Sequence, residues 1–197
     1  MFKGAESNIY LTKWYGKMAI SKIRIPKVYR QRLLDGDLRR RRTINESRML
    51  SLAKEFGLQT PYIFFVDPFR AEIVMEFVPG TRASKVLTSR ICFDIGKFVS
   101  TLHLHDIIHG DLTPTNFIAD RKMTMVDMGL SFYSTRREDK AMDIRLFKEI
   151  LNSTFHNSFS RFFDQFLDGY QSVNSKELEK ILQRIDTIES RKRYAVA

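Results

Sequence analysis

Asp111 stands five residues before Asn116 and sixteen before Asp127. The stretch between them breaks up apolar runs with a glycine and a proline: Ile107-Ile108-His109-Gly110-Asp111-Leu112-Thr113-Pro114-Thr115-Asn116, then Phe117-Ile118 and Met123 to Val126. Such a pattern predicts two carboxylates and an amide oxygen on consecutive turns beside short strands. Oxygen ligands of this kind suit Mg²⁺, a hard ion that keeps some of its water and takes other ligands from phosphate. The competing explanation is a set of loop carboxylates that cap helices and turns. A further acidic residue, Glu46, shares a predicted helix face with Met49, Leu50 and Ala53 at i+3, i+4 and i+7. A carboxylate aimed at packed surface is costly without a cation. Lys22 is the expected partner, and the alternative for Glu46 is a solvated side chain.

These groups need rigid elements to hold them. Asn8 to Tyr15 and Met18 to Ile25 alternate in polarity around Gly16-Lys17 and read as a hairpin. Lys22 lies on its second strand. Asp35-Gly36-Asp37 precedes a helix predicted over about Leu38 to Phe56, stopped by Gly57. Tyr62 to Val66 and Glu72 to Phe77 read as two more strands, with Asp67-Pro68 between them and Pro79-Gly80 as a break. Beyond it the chain turns mainly helical. Ile91, Ile95, Phe98, Val99 and Leu102 recur at helical spacing, and further helices are predicted over Asp139 to Leu151, Phe159 to Tyr170 and Ser175 to Ile188. Arg191 to Ala197 is expected to fray or to be ordered by a partner.

Composition narrows the classes. The chain has 197 residues, 43% of them hydrophobic, enough to bury a core. It has no apolar run of membrane-spanning length, and its start lacks the pattern of a secretory leader, so a soluble cytosolic protein without membrane contact is expected. The lone Cys92 reads as a helix-packing residue and not as a ligand or nucleophile. A formal charge of +10 favours an anionic partner. Arg39 to Arg42 and Arg191-Lys192-Arg193 are the candidate contacts, in particular Arg39, Arg42, Arg191, Lys192 and Arg193; four consecutive arginines sweep round a helix, so at most two face one partner. The sixteen phenylalanines fall mostly on apolar faces and read as core.

His109-Gly110-Asp111-Leu112, Asn116 and Asp127-Met128-Gly129 together resemble the catalytic-loop and metal-binding signatures of the protein-kinase fold. The resemblance implies an α+β, two-lobed architecture. Residues 1–78 would form an N-lobe of antiparallel sheet with one long helix, and 79–190 a reduced, mainly helical C-lobe, followed by a basic tail over 191–197. It further implies that Asp111 orients or deprotonates the attacking hydroxyl or water, that Asn116 and Asp127 hold Mg²⁺ (or Mn²⁺) against ATP phosphates, and that Lys22, paired with Glu46, binds phosphate. Met75-Glu76-Phe77-Val78 resembles the hinge whose backbone holds an adenine edge, through Glu76 C=O and Val78 N–H. Gly4-Ala5-Glu6-Ser7 stands where the glycine-rich phosphate loop belongs, with one glycine in place of three. His109 is implied to pack behind the metal carboxylate, not to act as an acid or base.

The departures select a branch. Gly110 replaces the arginine of regulated kinases, no Ala-Pro-Glu follows, and Thr113 replaces a lysine that serves peptide phosphorylation. Together with Lys22-Ile23-Arg24-Ile25-Pro26-Lys27-Val28-Tyr29-Arg30 and Glu138-Asp139-Lys140-Ala141-Met142-Asp143, the chain resembles the small atypical serine/threonine kinase/ATPase of the KEOPS (EKC) complex, the PRPK type. That resemblance implies Mg²⁺-dependent ATP hydrolysis with autophosphorylation, in support of threonylcarbamoyladenosine formation on tRNA. The implied partners are an actin-like-fold threonylcarbamoyl transferase subunit, a small helical subunit and tRNA, in the cytosol or, in a eukaryote, also the nucleus. The alternatives are a RIO-type atypical serine kinase, whose phosphate loop has a Ser/Thr-Gly-Lys character lacking in Gly4-Ala5-Glu6-Ser7, and an ATP-sensing tRNA-binding scaffold with incidental turnover.

Overall fold

A computed structural model describes residues 2–3 and 6–194, with side chains over 6–190. The elements are β1 (Phe2–Lys3), β2 (Ser7–Trp14), β3 (Lys17–Arg24), α1 (Arg32–Glu55), β4 (Ile63–Asp67), β5 (Glu72–Glu76), β6 (Thr81–Arg82), α2 (Ser89–Leu104), β7 (Ile107–Ile108), β8 (Phe117–Ala119), β9 (Met123–Met125), β10 (Phe132–Tyr133), α3 (Arg137–Thr154), α4 (Phe159–Gln171) and α5 (Ser175–Tyr194). They fall into two compact units, Met1–Gly80 with Thr124–Leu130, and Thr81–Met123 with Ser131–Ala197.

In the first unit an antiparallel sheet runs in the order β1-β2-β3-β5-β4. The hairpin β2–β3 closes through Tyr15-Gly16, both at positive φ (45° and 80°), a turn whose twist matches that of the strands it joins. β3 is central, so Lys22 is flanked by Ile9 on β2 and Ile73 on β5. α1 buries Thr43, Glu46, Met49, Leu50 and Ala53 and packs on β4 and β5. It begins at Arg32, earlier than the predicted Leu38, and takes Asp35-Gly36-Asp37 into its first turns. The reason is tertiary. The buried Asp35 carboxylate accepts from Lys27 N–H (3.3 Å) and Arg39 Nε (2.7 Å), with Arg30 at 3.7 Å, which anchors a helix start that Gly36 alone disfavours. The segment Thr124–Leu130, assigned from sequence to the C-lobe, groups with this unit: Met125 N–H donates to the Gln59 carbonyl at 3.0 Å.

In the second unit α2 is capped by Thr88, whose hydroxyl accepts from Ile91 N–H (3.3 Å), and buries Cys92, Ile95, Phe98, Val99 and Leu102. Burial pushes the Cys92 thiol up to about 12, so it packs and does not react. Gly96 and Gly169 bring α2 and α4 into backbone contact. A Cβ on Gly96 would lie 2.0 Å from the Phe166 carbonyl oxygen, and one on Gly169 2.0 Å from that of Phe93. α5 buries Leu178, Ile181 and Ile185 and is tied to α3 by Arg137–Glu177 (3.0 Å), Arg184–Glu138 (2.9 Å) and Lys148–Glu189 (3.0 Å). It runs on to Tyr194, past the predicted end at Ile188 and into the stretch expected to fray, of which residues 195–197 lie outside the described residues. The Lys148–Glu189 pair holds its penultimate turns, and Arg and Lys that follow are good helix formers.

Candidate functional site

The first unit holds a buried ion cluster. The Lys22 ammonium donates to Glu46 Oε1 at 2.5 Å and to Asp127 Oδ2 at 2.6 Å. The other Glu46 oxygen, Oε2, accepts from Arg24 Nη2 at 2.5 Å. Glu46 is fully buried, and the Lys22 and Arg24 side chains are 6% exposed. Two cations therefore balance two carboxylates in a place where an unpaired charge would cost several kcal/mol. Period two along β3 puts Lys22 and Arg24 on one face of the sheet, and Glu46 meets them from α1.

The electrostatics follow from this packing. Burial alone would lower Lys22, yet Glu46 and Asp127 raise it, so the ammonium stays charged. Burial and the Asp127 charge push Glu46 up from its ordinary value against the pull of Lys22 and Arg24. Asp127 goes the other way. Burial works against its charge, but the Lys22 ammonium and the Gly129 N–H (3.0 Å from Oδ1) hold its carboxyl down to about 2. A side chain 38% exposed and ionised at all ordinary pH is an oxygen donor of the type Mg²⁺ takes.

The second unit carries the loop with Asp111 and Asn116. Asp143 on α3 anchors it, accepting the backbone N–H of His109 (2.6 Å) and of Gly110 (2.8 Å). His103 Nε2 lies 3.3 Å from the same carboxylate, and its Nδ1 is 2.9 Å from the Tyr170 hydroxyl. Ser131 Oγ donates to the His109 carbonyl at 3.1 Å, and Asp111 N–H donates to His109 Nδ1 at 3.2 Å. His109 is buried. Asn116 Nδ2 donates to the Asp111 carbonyl at 2.8 Å, which leaves its Oδ1 as the atom suited to a cation. Asp111 itself is exposed.

Among the other predicted positions, Met75 is buried at the end of β5, Glu76 pairs with Ala19, and Phe77 N–H reaches the Met18 carbonyl at 3.5 Å; Val78 follows beyond the strand. Gly4 and Ala5 lie outside the described residues. Ser7 is buried at the start of β2. Glu6 is exposed and is paired within the chain: Arg42 Nη1 lies 3.0 and 2.9 Å from its two oxygens, with Arg24 Nη1 at 3.7 Å. Arg39 is likewise held, by Asp35. The backbone of Arg191, Lys192 and Arg193 continues α5, and their side chains lie outside the described residues. Sequence reasoning missed Asp143 and Arg24 as site residues. The signal that exposes Glu46 was present for Asp143 too, since Phe147 and Leu151 follow it at i+4 and i+8 on the buried face. For Arg24 the signal is its place two residues from Lys22.

Solved structures with this architecture define its class. The Rio2 kinase of Chaetomium thermophilum, solved as an ADP/Mg²⁺-phosphoaspartate complex, matches 98% of this chain and 70% of its own with a TM-score of 0.66 at 17% identity. An aminoglycoside-3'-phosphotransferase of type VIII matches 93% of this chain and 90% of its own, with a TM-score of 0.60 at 16% identity. The protein has the protein-kinase-like fold. No protein-family model matches the chain. Among curated proteins, the KEOPS complex subunit Bud32 of Pyrococcus abyssi is 36% identical over 207 residues, covering 98% of this chain and 94% of that protein. The chain belongs to the Bud32 family of KEOPS complex subunits. A probable bifunctional tRNA threonylcarbamoyladenosine biosynthesis protein of Methanocaldococcus jannaschii is 40% identical over 194 residues, and that of Methanobrevibacter smithii 38% over 193. The chain spans 36% of the length of each. Likeness to Rio2 at 17% identity is one of fold, so the RIO-type alternative gives way to the Bud32 family.

Proposed function

We propose that the chain is an ATP-binding phosphotransferase or ATPase that serves threonylcarbamoyladenosine formation on tRNA. The observation that carries the catalytic half of this reading is the Lys22 ammonium shared between Glu46 and Asp127. A charged lysine fixed on a central strand beside an ionised carboxylate is arranged to meet a polyphosphate that arrives with its metal. The tRNA half rests on family membership and on the names of the relatives.

In this mechanism Lys22 binds phosphate oxygens while Glu46 keeps the ammonium in place. Asp127 in the first unit and Asn116, through Oδ1, in the second would each offer an oxygen to Mg²⁺. Mg²⁺, when bound, neutralises charge that develops on the transferred phosphoryl group. Asp111 Oδ accepts the proton of the attacking water or hydroxyl, and Asp143 keeps its loop in position through the backbone of residues 109 and 110. Met75, Glu76, Phe77 and Val78 are assigned to the adenine, and Gly4, Ala5, Glu6 and Ser7 to phosphate. The partners we assign are the actin-like-fold transferase subunit, a small helical subunit and tRNA. Among the described residues no helix is long and apolar enough to cross a membrane. Phosphate release from Mg²⁺-ATP, with and without tRNA and the transferase, tests the reading. Turnover should fall about a hundredfold or more in Asp127→Ala and in Asp111→Asn; rates equal to wild type in both would remove it.

A further inference from the structure

We propose that Arg24 is a positioning residue for nucleotide binding: it clamps the Glu46 carboxylate, so that Lys22 stays presented while phosphate and metal compete for its contacts. This rests on the nucleotide reading of the same cluster. Glu46 divides its oxygens, with Oε1 on Lys22 and Oε2 on Arg24. Lys22 alone would be a poor custodian of a fully buried carboxylate. An ammonium drawn toward an incoming polyphosphate weakens its hold on Glu46, whereas the guanidinium on the opposite oxygen keeps its own contact there.

Two independent features show the space built around this guanidinium. Gly129, in the turn after Asp127, lies against the guanidinium: a Cβ there would stand 2.4 Å from Arg24 Nη2, so the arginine end would have to move. At the other side Arg24 Nη1 lies 3.7 Å from Glu6 Oε2, which Arg42 holds from α1. Arg24 Nε is buried with no hydrogen-bond partner among the described residues, so the side chain is placed by its Nη contacts. The arginine thus joins β3, α1, the Asp127 turn and the start of β2 in one ionic chain within the first unit. Only its Glu46 contact faces the lysine that meets nucleotide.

The test measures the Kd of Mg²⁺-ATP and steady-state turnover on the full chain for Arg24→Met, Arg24→Lys, Glu46→Gln and the Arg24→Met/Glu46→Gln pair. Arg24→Met should raise Kd and KM for ATP about tenfold or more, with kcat changed less, and Arg24→Lys should recover most of the loss. In the Glu46→Gln background Arg24→Met should add little, since the arginine acts through that carboxylate. Gly129→Ala, which displaces the guanidinium without deleting a charge, should weaken ATP in the same sense and serves where Arg24→Met fails to fold. Unchanged ATP affinity in a folded Arg24→Met or Gly129→Ala protein, or an equal loss with and without Glu46, overturns the proposal. Lys22→Met separates it from the reading beneath: if that variant abolishes ATP binding while Arg24→Met does not, Arg24 alone is misassigned; if neither affects it, both fall.

Discussion

At the scale of single residues, the chemistry rests on charges that burial would extinguish if they were not paired. Asp127 has its folded value held at about 2, below the ordinary carboxylate value of about 4. A depressed carboxylate contributes stability that is present above its unfolded value and is lost as pH falls through the folded one. Acid unfolding followed between pH 5 and 2 should therefore show a steep loss that shrinks in Asp127→Asn, and an unaltered acid limb would contradict the pairing. Lys22 has the opposite sign. Its raised value means that its contribution is complete below its unfolded value, near 10.5, and disappears only as pH rises beyond it. Lys22→Met strips Glu46 of one of two cations and should cost about 3 kcal/mol in chemical denaturation. A loss within experimental error would mean that Arg24 alone satisfies the carboxylate.

At the scale of elements, the contact of α2 with α4 sets two small effects against a large one. Gly96→Ala or Gly169→Ala improves helix propensity by about 1 kcal/mol, but each places a methyl 2.0 Å from a carbonyl oxygen of the facing helix, which no rotamer change relieves. The clash should win, with a net loss of about 2 kcal/mol or more of unfolding free energy in denaturant titration. Asp143→Ala frees two loop N–H groups and should lower turnover about ten- to a hundredfold, more than it weakens ATP. How far the sequence discloses these elements depends on how local their causes are. The β2–β3 hairpin, the buried face of α2 and the Lys22–Glu46 pair follow from spacing within one or two elements, and all are found. The early start of α1 was hidden because Asp35 is held by Arg30 and Lys27 outside the helix as well as by Arg39 within it. Asp143 was legible by the reasoning that exposed Glu46, whereas the approach of Gly96 to Phe166 joins segments that no short-range pattern relates.

At the scale of the molecule, the 33 lysines and arginines are less available to an anionic partner than their number suggests. Arg39, Arg42, Arg137 and Arg184 are each engaged by a carboxylate of the chain. Substituting Arg42 by alanine should then hardly change the salt dependence of tRNA affinity, whereas alanines at Arg191, Lys192 and Arg193 should reduce the slope of log Kd against log salt by roughly 2 to 3. Equal slopes for both variants would place the phosphate contacts elsewhere. The first unit also has an unusual history as a stretch of polypeptide, because residues 124–130 complete it after forty-three intervening positions have gone to the second. A ribosome that has just released Gly80 has made β3 and α1 but not the carboxylate that shares the lysine. The N-terminal portion must wait, half neutralised, for a segment synthesised later, and a fragment cut at residue 80 would be missing its own counter-ion.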